Sequence, residues 1–441
     1  MKKNDFLDLK CTYLSTDAKG VCRTDGFCFY VDNLLKDEEC NAQITGINGK
    51  TVYAKVMDIT KKSVDRVDVK CKSFDRCGGC HLLHLKYDKQ LEFKRDNVKK
   101  YFKDQGINVK VHDTTGMDEP FYYRNKVIAS VSLDKNKIIY GMYEENSHEV
   151  IYNNNCLIQN KLLNEILISI KEILDKLKIK PEGFGGVLRH IMLRIGVKTN
   201  EVLVVFVTNS DLFPARKELV NALISKHKEI KTIIQNTNPR KTSVVLGDKD
   251  KVLYGPGFIY DILLGNKYKI SAKSFYQINP VQTEKLYTKA IELANLNKNE
   301  VVMDAYCGIG TIGLSLAKNV KELIGVEIVK EAINDAINNA RINNITNARF
   351  YCDDCKKFMI NNHIHIDTLF VDPPRSGLDK EFINSIKRLK PKKIIYISCN
   401  PITQAENIRE LIDLYSVSEI YPFDLFPLTL HTESVCLLKL K

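Results

Sequence analysis

No uninterrupted apolar run in this 441-residue chain approaches the ~18–20 residues that a membrane span requires. The opening stretch, MKKNDFLDLK, lacks the apolar core of a signal peptide. Internal repeats and low-complexity segments are also missing. These absences lead us to expect a cytoplasmic protein with no membrane partner and no obligate protein partner. Apolar residues make up 44 % and charged residues 27 %, values that exclude large-scale disorder and fibrous architecture. At ~150 residues per domain the length implies about three domains.

The net charge of +12 suits a polyanionic partner, and its distribution is uneven. Residues 61–110 carry 14 basic and 7 acidic side chains, whereas residues 1–60 carry 8 and 9. A solvated helix face would also account for part of that surplus. The 13 cysteines are spread along the chain, which argues against a secreted disulfide framework and turns attention to metal ligation or thiol catalysis.

Three regions are distinguishable. Residues 1–60 alternate short strands with turns and suggest an OB-like β-barrel, a carrier of single-stranded nucleic acid. Residues 61–260 contain a cysteine knuckle, an amphipathic helix over 84–105 expected to pack on the last domain, and a mixed α+β region with helices near 160–178 and 213–228. From residue 261 apolar strands alternate with helices, which predicts a doubly wound α/β sheet over 261–441.

The first strand of that sheet, 301–306, runs into DAYCGIGTIGL. Asp304, Gly308 and Gly310 form a D-x-x-x-G-x-G turn whose glycines let backbone approach a ligand at a helix N-terminus. Glu327 closes the next strand, where a carboxylate can accept two hydrogen bonds from a ribose. The turn and the acid together point to an adenosine cofactor, and they resemble class I S-adenosylmethionine methyltransferases. A dehydrogenase is the competing α/β reading.

Downstream, one strand ends in Asp372-Pro373-Pro374-Arg375, another in Ser398-Cys399-Asn400-Pro401-Ile402-Thr403, and His431-Thr432-Glu433-Ser434-Val435 follows. A thiolate that adds to carbon 6 of a pyrimidine makes carbon 5 nucleophilic toward a methyl donor. A carboxylate must then remove the carbon-5 proton so that the thiol can leave. Cys399, Asp372 and Glu433 are the residue types this chemistry needs.

SCNPIT, DPPR and HTESV together closely resemble the RNA 5-methyluridine (uracil-5-) methyltransferases, over essentially the whole chain. The resemblance implies a Rossmann-like class I methyltransferase fold, with Cys399 as nucleophile and Glu433 as base. FYQINP (275–280) matches the family segment that implies a cofactor role for Gln277. By the same match Tyr306, Glu327 and Asp372 line the S-adenosylmethionine pocket, with Thr311 and Asp354 close by.

Cys71, Cys77 and Cys80 are spaced C-x5-C-G-G-C, and Cys156 is the candidate fourth thiolate. Spacing alone leaves zinc and iron–sulfur open. In the resembling family this pattern holds a 4Fe–4S cluster, which we adopt, with zinc as the alternative. His81 is expected beside the cysteines as a supporting residue. Cys11, Cys22, Cys28, Cys40, Cys352, Cys355 and Cys436 are expected in cores.

The N-terminal barrel resembles a TRAM RNA-binding domain, and barrel plus knuckle imply the 23S rRNA type of enzyme. Tyr13, Phe27, Phe29 and Tyr30 are candidate base stackers, and Arg124, Lys126 and Arg189 candidate phosphate contacts. The alternatives are a tRNA uracil-5-methyltransferase, a 5-methylcytosine enzyme and a non-catalytic RNA-binding assembly factor.

Overall fold

The computed structural model describes residues 1–144, 147–361 and 364–441. Three large sheets follow one another along the chain. Among the described residues no helix is long and apolar enough to cross a membrane.

The N-terminal sheet has six strands between Phe6 and Lys61. Phe27–Asp32 and Thr51–Lys61 pair in parallel and the other neighbours antiparallel. Strands Phe6–Lys10 and Gly20–Thr24, far apart in the sheet order, come back into contact, so the sheet curls around its own core. That core holds Leu9, Val31, Ile44 and Val52, and also Phe29. Phe29 is fully buried, which corrects its expected stacking role: its strand position points inward. Phe27 packs against the same core, whereas Tyr13 stays exposed.

The central sheet has seven strands, in the order 150–152, 137–143, 126–134, 188–195, 202–208, 230–237 and 249–254. Val202–Thr208 (VLVVFVT) is buried throughout because both faces of the sheet are covered. One face carries helices Lys161–Lys176 and Arg216–Lys226. The first repeats Leu163, Ile166, Leu167, Ile170 and Leu174 at helical spacing and starts where the Asn160 side chain accepts from the Leu162 N–H at 3.0 Å. Arg189 donates to the carbonyls of Asn238 and Arg240, both at 2.7 Å, and pairs with Glu182 at 2.9 Å. Its guanidinium therefore holds loops of this sheet together, a correction to the phosphate contact expected of it.

The third sheet has eight strands. Ala348–Cys352, Glu322–Glu327, Val301–Ala305, Thr368–Val371 and Lys393–Ser398 run parallel. Glu433–Leu440 then pairs antiparallel with Lys393–Ser398, and Tyr415–Phe423 antiparallel with Glu433–Leu440. Successive residues of each strand feed opposite cores: Val302 and Ile395 one side, Met303 and Ile394 the other.

The eighth strand, Lys110–Val111, comes from far upstream and pairs with Tyr415–Phe423. The helix before it, Tyr87–Asp104, buries Val98 and Phe102 in the core of this sheet. It is therefore packed on the third sheet, and its buried face includes Lys94, which a charge count assigns to solvent.

Candidate active site

The C-terminal ends of the parallel strands form one edge of the third sheet, where α/β folds bind ligands. Read across the sheet order, that edge presents Glu327, then Asp304 and Tyr306, then Asp372, then Cys399. The next strand is antiparallel, so its first residue, Glu433, lies at the same edge. Ser398 pairs with Ser434, which leaves Cys399 and Glu433 as the adjoining residues just beyond the ladder. The parallel strands alone could not place residues of the HTES segment there: reversal of the last strand does.

The turn after Val301–Ala305 is built for close approach. Tyr306, Gly308 and Gly310 have φ of 64°, 53° and 85°. A non-glycine residue in that region is strained, and Tyr306 is held by its N–H to the Cys355 sulfur (3.3 Å) and by ring packing on Phe382 (5.7 Å). A Cβ on Gly308 would meet no atom within 4 Å, so open space lies beside the turn. Glu327 accepts from the Gly308 N–H at 3.2 Å and the Val329 N–H at 2.9 Å, one on each carboxylate oxygen. Each oxygen keeps a second lone pair for a ligand hydroxyl.

Asp304 is a buried residue that the sequence pointed to only as part of the turn. Its Oδ2 accepts from the Gly313 N–H at 2.8 Å, fixing the helix start, while Oδ1 is buried with no partner. Burial, with Asp372 and Glu327 nearby, pushes its carboxyl up to about 7. Burial likewise pushes Asp372 up to about 7. Glu433 is raised well above the usual carboxylate range by burial and by Asp372, against a smaller opposing pull from Arg375. Burial, Glu433 and Asp372 push the Cys399 thiol up to about 11, and Arg375 acts in the opposite direction. A cluster of buried acids, each resisting ionisation, is complementary to a ligand that brings positive charge.

Supporting contacts hold this edge. Asn400 caps helix Pro401–Leu411, accepting from the Ile402 N–H at 3.2 Å, and donates from Nδ2 to the Arg375 carbonyl at 2.9 Å. The DPPR and SCNP turns are thereby tied to each other. Arg375 Nη2 lies 3.4 Å from both ring nitrogens of His431. Burial and Arg375 push His431 down to about 4, so the ring is neutral at pH 7. Neither Arg375 nor His431 was given a role by the sequence, although both sit inside the recognised motifs. Gln277 is buried, its carbonyl accepts from Asn125 Nδ2 at 3.0 Å, and its side chain meets the Tyr287 hydroxyl beside Asp372. Tyr287 also lies 3.5 Å from the Thr311 hydroxyl. Asp354 accepts from the Lys357 N–H at 3.0 Å and so serves as a cap for helix Cys355–Asn361.

Away from this edge, Cys71, Cys77, Cys80 and Cys156 line one cavity of about 300 Å³, together with Arg124 and Lys126. Burial raises the thiols of Cys77, Cys80 and Cys156. The Arg124 Nε is buried with no partner, and burial pushes Lys126 down to about 8. These two cations face the thiol cavity, a correction to their expected place on an RNA surface. The fourth cysteine is thus brought to the first three from more than seventy residues away. Among the described residues, however, no group of three or more His, Cys, Asp or Glu side chains stands where it could hold a metal ion. The metal expectation is corrected to that extent: the four thiols share a cavity, but no metal-holding group is found among the described residues. The His81 backbone N–H bonds to the Leu428 carbonyl. Cys352 is exposed and Cys28 half-buried, whereas Cys11, Cys22, Cys40, Cys355 and Cys436 lie in cores as expected.

Comparison with known proteins agrees with this geometry. An RNA methyltransferase of Halalkalibacterium halodurans is 40 % identical over 450 residues, covering 100 % of this chain and 98 % of the relative. One from Listeria innocua is 41 % identical over 449 residues, covering 100 % and 99 %. The crystal structure of Pyrococcus abyssi tRNA (uracil-54, C5)-methyltransferase in complex with S-adenosyl-L-homocysteine superposes with a TM-score of 0.79 at 28 % identity, covering 98 % of this chain and all of that one. Residues 86–441 match the model of the tRNA (uracil-5-)-methyltransferases. The third sheet is accordingly a class I, Rossmann-like methyltransferase sheet, and the chain belongs to the tRNA (uracil-5-)-methyltransferase family.

Proposed function

We propose that this protein transfers a methyl group from S-adenosylmethionine to carbon 5 of a uridine in 23S rRNA. The observation that carries the proposal is the meeting of Cys399 and Glu433 beyond the Ser398–Ser434 pair, beside Asp372. S-adenosylmethionine, when bound, supplies an electrophilic methyl group on a cationic sulfur. Open space at Gly308, the partnerless Asp304 Oδ1 and the acid-rich edge fit such a ligand. Gln277, Tyr306, Glu327 and Asp372 would hold it.

The protein's own groups account for the remaining steps. Cys399 gives its proton to solvent water and its sulfur bonds to carbon 6 of the uracil, which places the electron pair of the C5–C6 double bond in an enolate. Carbon 5 then bonds to the methyl carbon as the methyl–sulfur bond breaks. Glu433 takes the proton from carbon 5, the carbon 6–Cys399 bond breaks, and the double bond and thiolate are restored. A carboxyl raised by burial is a stronger base once ionised, which suits Glu433 to a carbon acid. The uridine must be unpaired or flipped out for carbon 6 to be reached.

The sequence of residues 1–60 and the C-x5-C-G-G-C pattern support the rRNA assignment by their resemblance to the rRNA type. The full-length overlap with an archaeal tRNA enzyme favours tRNA as the second reading. The test is methyl transfer from labelled S-adenosylmethionine to unmodified total RNA, with rRNA and tRNA then separated. We expect 5-methyluridine in 23S rRNA and at least a ~10⁴-fold loss in Cys399→Ala, with RNA binding retained. Label in tRNA would replace the substrate, and label unaffected by the substitution would remove the nucleophile. No label on either RNA would favour an assembly factor.

For the thiol cavity we infer a 4Fe–4S cluster held by Cys71, Cys77, Cys80 and Cys156. What supports this reading is that four thiols and two basic side chains line one cavity. Arg124 and Lys126 would offset the cluster's negative charge. Its role is structural, and no step of methyl transfer runs through it. Anaerobically purified protein should contain iron and acid-labile sulfide in equal amounts, about four each per chain. Zinc, or neither metal, would overturn this assignment.

A further inference from the structure

Residues 424–432 link strand Tyr415–Phe423 to strand Glu433–Leu440. Phe423 lies opposite Glu433 in the ladder, so Asp424 is the first residue beyond the pair that carries the base. A nine-residue loop at this place would ordinarily be free to move, and the carboxylate with it. Here the loop is held by buried polar side chains from distant parts of the chain.

Asp424 and Lys94 are both fully buried. Lys94 Nζ donates to Asp424 Oδ1 at 2.5 Å and to the Phe426 carbonyl at 3.1 Å. The Tyr87 hydroxyl donates to Asp424 Oδ2 at 2.8 Å. One turn before Lys94, Gln90 Oε1 accepts from the Leu428 N–H at 3.2 Å, while its Nε2 donates to the carbonyls of Leu82 and Leu85. The His81 and Leu82 N–H groups both donate to the Leu428 carbonyl, at 2.9 and 3.0 Å. Leu428 itself has φ of 68°, a strained conformation for a side-chain-bearing residue that these bonds over-determine.

We propose that Lys94 is a positioning residue for Glu433: its buried pairing with Asp424 anchors the loop that sets where the catalytic carboxylate stands. The helix Tyr87–Asp104 is thus part of the catalytic apparatus although none of its residues reaches the reacting atoms. The proposal rests on the assignment of Glu433 as the base that completes the reaction. It has a consequence that general destabilisation lacks. If the base is misplaced while Cys399 and the methyl-donor site are intact, addition and methylation proceed and elimination stalls. Protein then accumulates covalently bound to methylated RNA.

The test uses the full chain with its RNA substrate and compares wild type, Glu433→Gln and the double variant Lys94→Met with Asp424→Asn. The double variant removes both charges together, so neither is left buried alone, and the amide introduced by Asp424→Asn can still accept from the Tyr87 hydroxyl. Adduct is read on denaturing gels, with turnover and S-adenosylmethionine affinity measured alongside. Glu433→Gln should accumulate adduct, and its failure to do so would remove the base assignment itself. Given that control, the double variant should lose at least tenfold in turnover, keep donor affinity within twofold and accumulate adduct above wild type. Wild-type turnover, or slow turnover without adduct, would overturn the proposal. Should the double variant not fold, Asp424→Asn alone should show a smaller adduct fraction, and adduct no higher than wild type there would overturn it equally.

Discussion

Two sets of buried carboxylates occupy this molecule, and they are treated in opposite ways. Near the N-terminal sheet, Glu38 is fully buried and saturated. Arg66 donates to both its oxygens, at 2.6 and 2.8 Å, and the Leu35 and Ser63 N–H groups add two more bonds. Burial alone would raise this carboxyl, but Arg66 and the two N–H groups outweigh it and hold it below the ordinary range. Asp424 is likewise paired with Lys94. At the edge of the methyltransferase sheet, Asp304 and Glu433 are buried and Asp372 is half-buried, yet among the described residues none is paired with a cation, and all three are raised. A fold that needed these acids only for stability would have paired them. Leaving them short of partners costs stability in the free protein, and it fits the ligand-binding and catalytic roles proposed for them.

The contrast can be broken from the structural side first. Glu38→Ala removes the acceptor for four donors and leaves Arg66 mostly buried without a counter-charge. We expect a loss of about 3 kcal/mol, the low end for breaking a buried pair, because Arg66 retains a path to water. Urea titration followed by a probe in the N-terminal sheet measures it. A loss below about 1 kcal/mol would show that the pair is not a fixed point of the fold.

The acids at the sheet edge should respond with the opposite sign. Asp304 has a folded-state pKa of about 7, against ~3.9 for an unfolded Asp. The folded state therefore holds the proton more tightly, and the stability this confers is present below pH ~4 and lost as pH rises to about 7. Asp304→Asn keeps an acceptor for the Gly313 N–H and removes the ionisation. The difference in Tm, variant minus wild type, should increase between pH 4 and 7 and level off above, amounting to a few degrees. A difference independent of pH would mean that Asp304 is ionised throughout and that the two sets of acids are not distinct.

Much of the site was legible along the chain because strand ends and Gly turns are local. DAYCGIG, DPPR and SCNP are each a strand followed by a turn, and in α/β folds such turns gather at one edge. The thiols were legible for a similar reason: three lie within ten residues, and Cys156 joined them as expected. Phe29, Arg189, Arg124 and Lys126 were misjudged because residue type states what a side chain can contact, not which face it occupies. The strand pattern of residues 415–423 was missed, and with it the partner that carries Asp424. Lys94 was invisible in principle, since its partner lies 330 residues away.

The sequence by itself determined the chemistry: a thiol, a carboxylate and a Gly-turned strand of the types that pyrimidine methylation needs, on elements whose periodicity dictates an α/β sheet. Tertiary structure alone decided the states and positions of those groups. The reversal of the last strand set Glu433 beside Cys399, burial without counter-charges raised their proton affinities, and a helix from the first quarter of the chain fixed the loop beside Glu433. Each of these depends on the sum of neighbours around a group, and that sum is made by folding, from residues that the chain order keeps apart.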